Sequence, residues 1–156
     1  MSDLALARAL HVVGVVLWIG GVAMVTTVLL PAVRRLETPA GRLDLFERIE
    51  RGFAAQARVT TLVTGLSGFY LAWRLELWAR FATPQYWWMH AMVALWAIFT
   101  LILFVLEPLV LRRWFAARAA RAPAATLRLV ERYHWVLLVL SLVTVAGAAA
   151  GSHGLI

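Results

Sequence analysis

Four histidines, four methionines and no cysteine make up the nitrogen and sulfur ligands available to a metal in this chain. The stretch ALHVVGVVLWIGG, residues 9–21, puts His11 near the start of a long apolar run with no other titratable group. WWMHAM, residues 87–92, does the same for His90, with Met89 and Met92 beside it. Two imidazoles facing each other inside a helical bundle can hold one haem iron axially. Imidazole with thioether suits Cu(I) instead. The lack of cysteine excludes disulfides, iron–sulfur clusters and thiolate zinc sites.

These residues need helices to carry them, and the composition says where those helices lie. The chain has 156 residues, 63% of them hydrophobic, with a mean hydropathy of +0.81, well above the roughly 45–50% apolar usage of soluble domains. A bilayer is crossed by ~20 mostly apolar helical residues. Four stretches qualify as spans, at about 4–33, 57–75, 85–112 and 130–152. The second is the shortest in uncharged sequence, since Arg58 and Arg74 bracket it; both side chains can snorkel to the interfaces. The first apolar run exceeds the ~7–15 residues of a signal-peptide core, so no cleavage is expected.

The formal charge of +7 comes from arginine alone, because the chain has no lysine. Arg34, Arg35, Arg42, Arg48, Arg51 and Arg58 fall between the first two spans, and Arg112, Arg113, Arg118, Arg121, Arg128 and Arg132 between the last two. Only Arg8, Arg74 and Arg80 fall on the other side. This asymmetry predicts the two arginine-rich loops inside and both termini outside. Trp73, Trp78, Tyr86, Trp87 and Trp88 fit an outer interfacial belt. Arginine around spans points to anionic headgroups rather than nucleic acid.

Thr38-Pro39 reads as a helix start, and Leu43, Phe46, Ile49 and Phe53 recur at helical spacing. They predict an amphipathic cytoplasmic helix over about 39–56 that runs into the second span. The third span should extend past Trp114, and Pro123 or Thr126 should restart the chain into the fourth. The fold expected is an all-α membrane protein, a single antiparallel up-and-down four-helix transmembrane bundle.

In that bundle His11 lies ~13 Å into span one and His90 ~9 Å into span three, both counted from outside. His153 emerges at the same side. His11 and His90 then face each other as haem ligands, Arg8 meets a propionate one turn away, and glycines such as Gly14, Gly65 and Gly68 leave room for a flat macrocycle. Close helix packing is the other use of those glycines, and an interhelical hydrogen bond is the other use of each histidine. Solvent exposure is the plainer reading of His153. His134 sits ~28 Å from His153 along span four, too far to share an iron. Met89 and Met92 lie nearly on one helix face while His90 projects about 100° away, so the three form no ready local chelate.

"LHVVGVVLWIGG" and "WWMHAMVALW" resemble the first and third helices of the HemJ-like and CopD-like small bacterial membrane proteins; "ARVTTLVTGLSGFYLAW" is similar to their second. The resemblance implies a haem-associated four-helix fold with His11 and His90 as motif histidines and Trp18 closing the first motif. It also implies protoporphyrinogen oxidation for a HemJ-like protein, or copper uptake or resistance for a CopD-like one. Met92 stands where HemJ proteins carry a functionally important lysine. That departure favours the haem-pocket fold over protoporphyrinogen oxidation.

A second polar level gathers Arg58, Glu107, Tyr133 and His134 near the inner face. An Arg58–Glu107 ion pair is its expected structural role; a proton-entry or quinone-headgroup site using His134 is the functional alternative. Hydrolase and nucleotide-driven chemistry are not indicated: GLSG at 65–68 lies inside a span and lacks a strand-turn-helix context. The expectation is therefore a haem b membrane protein that transfers electrons from a donor such as a quinol to an outer acceptor, in a bacterial inner membrane. Copper binding through His11, His90, His153 and the methionines is the rival, and a structural subunit of a larger enzyme the third reading. The small residues of VAGAAAGS, 145–152, offer a face for a homodimer.

Overall fold

A computed structural model describes residues 3–35 and 39–154; the side chains at 39, 40, 42–44 and 47 lie outside that description. Thr38 and the side chain of Leu43 are among the positions left out. The described residues form helices and no strand. Helix α1 (Asp3–Met24) passes through a wide π-helical stretch, Val25–Leu29, into α2 (Leu30–Arg34). Helix α3 (Pro39–Arg74) is continuous for 36 residues. Two 3-10 turns, Leu77–Ala82 and Pro84–Tyr86, lead to α4 (Trp87–Leu101). A second π-helical stretch, Ile102–Leu111, joins α4 to α5 (Arg112–Arg121), and α6 (Pro123–Ser152) closes the chain.

Prolines set several of these starts. Pro84 and Pro123 stand in the first helical turn of their elements, where a missing N–H costs nothing because that group has no intrahelical partner anyway. Pro123 thus restarts the chain, and the Thr126 hydroxyl donates back to Ala122 O at 2.9 Å.

Three continuous helical stretches, Asp3–Arg34, Pro84–Arg121 and Pro123–Ser152, are long and apolar enough to cross a membrane. Their large apolar side chains stay exposed on the outer faces, among them Val12, Val16, Leu109, Val139 and Val143. That is the surface a lipid phase accepts and water does not. The chain is an all-helical membrane protein on these grounds. Helix α3 differs because its first half is charged, with Arg48, Glu50, Arg51 and Arg58 interrupting the apolar sequence.

Helix α3 packs most closely on α1, and the two run antiparallel: Asp3 meets Arg74, Gly14 meets Thr64, and Gly21 meets Phe53. Small residues allow it. Gly14 of α1 admits Thr64 and Gly21 admits the Phe53 ring, while Ala54 and Ala57 of α3 are themselves buried. One core joins Trp18, Ile19 and Val22 of α1 to Leu95 and Phe99 of α4 and Leu138 of α6. A second, below it, joins Val25, Leu30 and Val33 to Phe46 of α3 and Leu127 of α6. The apolar stripe of α3 that includes Phe46 and Ile49 packs there, against the chain from Val25 to Val33.

Candidate functional site

His11 is half-buried on α1 and reaches α3. Its Nδ1 lies 2.9 Å from Thr64 O. A carbonyl only accepts, so Nδ1 carries the proton and Nε2 keeps its lone pair. The Ser67 hydroxyl, which donates to Val63 O, stands 3.3 Å from the same Nδ1. A ring held at one nitrogen by a backbone carbonyl, with the other nitrogen free to bind, is the arrangement that orients metal-ligating histidines. Gly68 makes it possible: a Cβ there would lie 2.9 Å from His11 Cε1.

The other glycines expected to clear space are filled by this chain's own side chains. A Cβ on Gly14 would come within 2.5 Å of Thr64 Oγ1, and one on Gly65 would run into the Trp96 indole. Trp96 Nε1 in turn donates to Thr61 O at 3.0 Å. In this structure these clearings are occupied by helix-packing contacts. Trp18 is buried and meets Phe99 edge-on at 4.9 Å between ring centroids. It belongs to the core. Arg8 is exposed.

His90 is not brought to His11. It is exposed and lies edge-on to Phe81, 5.2 Å between centroids. The reason is periodicity. Phe99 touches Trp18 of α1, and His90 precedes Phe99 by nine positions, two and a half turns, which turns it to the opposite face. His11 precedes Trp18 by seven positions and keeps to the Trp18 face. Met92 likewise precedes Phe99 by seven and Trp96 by four, so the half-buried thioether, rather than the imidazole, shares the α4 face that meets α1 and α3. Met89 is buried. His153 is exposed, with Nδ1–H donating to Ala149 O at 2.8 Å beyond the end of α6. Among the described residues no group of three or more His, Cys, Asp or Glu side chains is placed to hold a metal ion.

Toward the arginine-rich end of the helices Glu107 is buried and accepts from two arginines. Arg58 Nη2 donates to Glu107 Oε2, and Arg112 Nη2 donates to Oε1 at 3.0 Å. Arg58 Nε also donates to Leu103 O at 3.1 Å. Leu103 O is available for a local reason: in the π-helical stretch its partner would be the N–H five residues on, and that residue is Pro108. The arginine supplies the donor that proline lacks. His134 stands apart from this network; its Nδ1–H donates to Val130 O at 2.9 Å and its ring lies edge-on to Phe46.

Sequence reasoning did not find Thr64 or Ser67 as the partners of His11, because a backbone carbonyl and a small hydroxyl leave no motif. It also passed over Pro108, although a proline one residue after the only acid of span three was a visible signal. At the opposite end of the helices Asp3 accepts from Tyr70 at 2.7 Å and Arg74 at 2.9 Å. A groove of about 410 Å3 beside them is lined by Leu6, Leu10, Val63, Leu66 and Ser67.

Fold and site together define an all-helical membrane protein carrying two half-buried imidazoles, His11 and His134, each preset in its Nδ1–H tautomer by a backbone carbonyl, of which His11 alone is held by a neighbouring helix. No protein family, curated protein or solved structure matches the chain.

Proposed function

We propose that the chain is an integral membrane haem b protein of the electron-transfer class, in which His11 Nε2 would hold the iron. The observation that carries this reading is the Nδ1–H bond from His11 to Thr64 O, which leaves a single oriented lone pair in the outer half of the helices. His11 would hold the iron, and in this reading Met92, on the α4 face that meets α1 and α3, would serve as the second protein ligand in preference to exposed His90. Bound haem would supply a one-electron Fe(III)/Fe(II) couple. The chain's part is to fix the imidazole through Thr64 O and Ser67.

The same reading takes the long helices as an antiparallel up-and-down four-helix bundle in a bacterial inner membrane, both termini outside. Support comes from the arginines: Arg34, Arg58, Arg112 and Arg128 all lie toward one end, as positive-inside orientation requires. A quinol is then the natural membrane donor, with an acceptor on the outer side.

Copper binding is the second reading, favoured by one observation. Met89 and Met92 are covered while His90 is exposed, so the soft thioethers and His11 occupy the interior, a donor set suited to Cu(I). Reduced-minus-oxidised visible spectra of the detergent-purified protein, with pyridine haemochrome and copper analysis on the same sample, separate the two. A b-type spectrum lost in His11→Ala supports haem. A colourless sample from haem-replete cells removes it, and copper in that sample transfers the site to the second reading.

A further inference from the structure

At the arginine-rich end of the helices two apolar stretches long enough to cross a membrane come together, one ending at Arg34 and the other beginning at Pro123. Between them lies a recess of about 230 Å3 lined by Arg34, Ala124, Leu127 and Arg128. Leu127 is buried and packs with Val25, Leu30 and Val33, which gives the recess an apolar floor. Arg34 and Arg128 are both exposed.

The charges around this recess do not cancel. Arg34 Nη1 donates to both carboxylate oxygens of Glu131, at 3.1 and 3.2 Å. That contact holds the guanidinium by one nitrogen and leaves Nε and Nη2 without a partner among the described residues. Arg128 lies one turn before Glu131 on the same face of α6, yet makes no hydrogen bond or ion pair among the described residues. Two arginines against one carboxylate leave a surplus positive charge with free donors. The Glu107 network differs, because there both arginines donate to the acid itself. Ala124 belongs to the first turn of α6, which has no side-chain cap, and that helix end adds charge of the same sign.

A phosphodiester answers these features. It carries one negative charge spread over two free oxygens, the form that arginine donors recognise. In a bilayer it sits where the apolar part of a spanning helix ends, and the recess lies at the ends of two such stretches. A zwitterionic headgroup would bring its own cation against the two guanidinium groups. We infer that Arg34 and Arg128 form a binding site for the phosphodiester of an anionic phospholipid, with Glu131 as the residue that positions Arg34. The site is independent of what His11 binds.

The full chain in an uncharged detergent, titrated with phosphatidylglycerol, phosphatidylcholine or inorganic phosphate while its unfolding midpoint is followed, tests this. Phosphatidylglycerol should raise the midpoint to a plateau, and phosphatidylcholine at the same concentrations should not. Arg128→Gln breaks no ion pair among the described residues and should keep its lipid-free midpoint. Its half-saturating lipid concentration should rise about tenfold, the worth of one hydrogen bond to a charged group. Arg34→Gln should weaken binding likewise, and its lipid-free midpoint should fall because Glu131 loses its partner. Arg113→Gln with Arg118→Gln, exposed residues of α5 outside the recess, should titrate as the wild type does. Equal shifts from the two lipids, an unchanged titration in Arg128→Gln, or equal weakening in the α5 pair overturns the site. The same rise from inorganic phosphate at the same concentrations overturns the lipid as the source of the anion.

Discussion

Gly68 and His11 are fitted to one another: the ring edge occupies the space a Cβ would need, 2.9 Å from His11 Cε1. Glycine within a helix otherwise costs about 0.5–1 kcal/mol relative to alanine, so Gly68→Ala would stabilise α3 if nothing opposed it. Here the imidazole opposes it. We expect Gly68→Ala to destabilise by about 1–3 kcal/mol, the usual range for overpacking, as the ring leaves Thr64 O; under the haem proposal it should also lower haem occupancy. In a His11→Ala background the same change should be neutral or stabilising. Unfolding midpoints for the four proteins of this cycle check the coupling.

Exchanging the two α4 candidates discriminates the ligand set. His90→Ala should leave the visible spectrum unchanged, because His90 is exposed against Phe81 and turned from α1. Met92→Ala should abolish the near-infrared charge-transfer band of a thioether-ligated ferric haem and lower the reduction potential. Loss of the spectrum in His90→Ala would return His90 to the ligand set and place the haem between two copies.

Pro108 and Arg58 should be coupled through Leu103 O. Arg58→Met removes the donor to that carbonyl and one of the two arginines on buried Glu107. We expect a loss of about 1–3 kcal/mol, the cost of leaving buried acceptors unsatisfied. Pro108→Ala restores a backbone N–H within reach of Leu103 O. The Arg58→Met penalty should therefore shrink in the Pro108→Ala background, as read by denaturation in detergent; an unchanged penalty would mean that the carbonyl contributes nothing.

Much of the helical layout was legible because apolar runs as long as those around His11 and His90 have few other physical outcomes. The arginine bias was legible for the same reason, being counted rather than inferred. The site was less so. That His90 faces away from His11 follows from its spacing to Phe99, yet the spacing is informative only once Phe99 is known to touch Trp18. The partner of His11 is a backbone oxygen, which every residue has. The π-helical turn at Ile102–Leu111 depends on Pro108 and on an arginine from α3 far away in sequence, a pairing no local pattern displays.

The small-residue run of α6 illustrates the same point and carries the last prediction. VAGAAAGS reads as a free face for a second copy, but its two glycines are occupied within the chain. A Cβ on Gly147 would come within 2.5 Å of the Trp87 ring, and one on Gly151 would collide with Trp88. The clearings seat the tryptophans at the N-terminal end of α4. Trp88 is 5% exposed, so Trp88→Ala should cost about 3–5 kcal/mol, the range for a buried large aromatic. Gly151→Leu should likewise lower the unfolding midpoint without any dependence on protein concentration, because the contact lies within one chain. A loss of midpoint that grows on dilution in detergent would instead assign this face to an interface between copies.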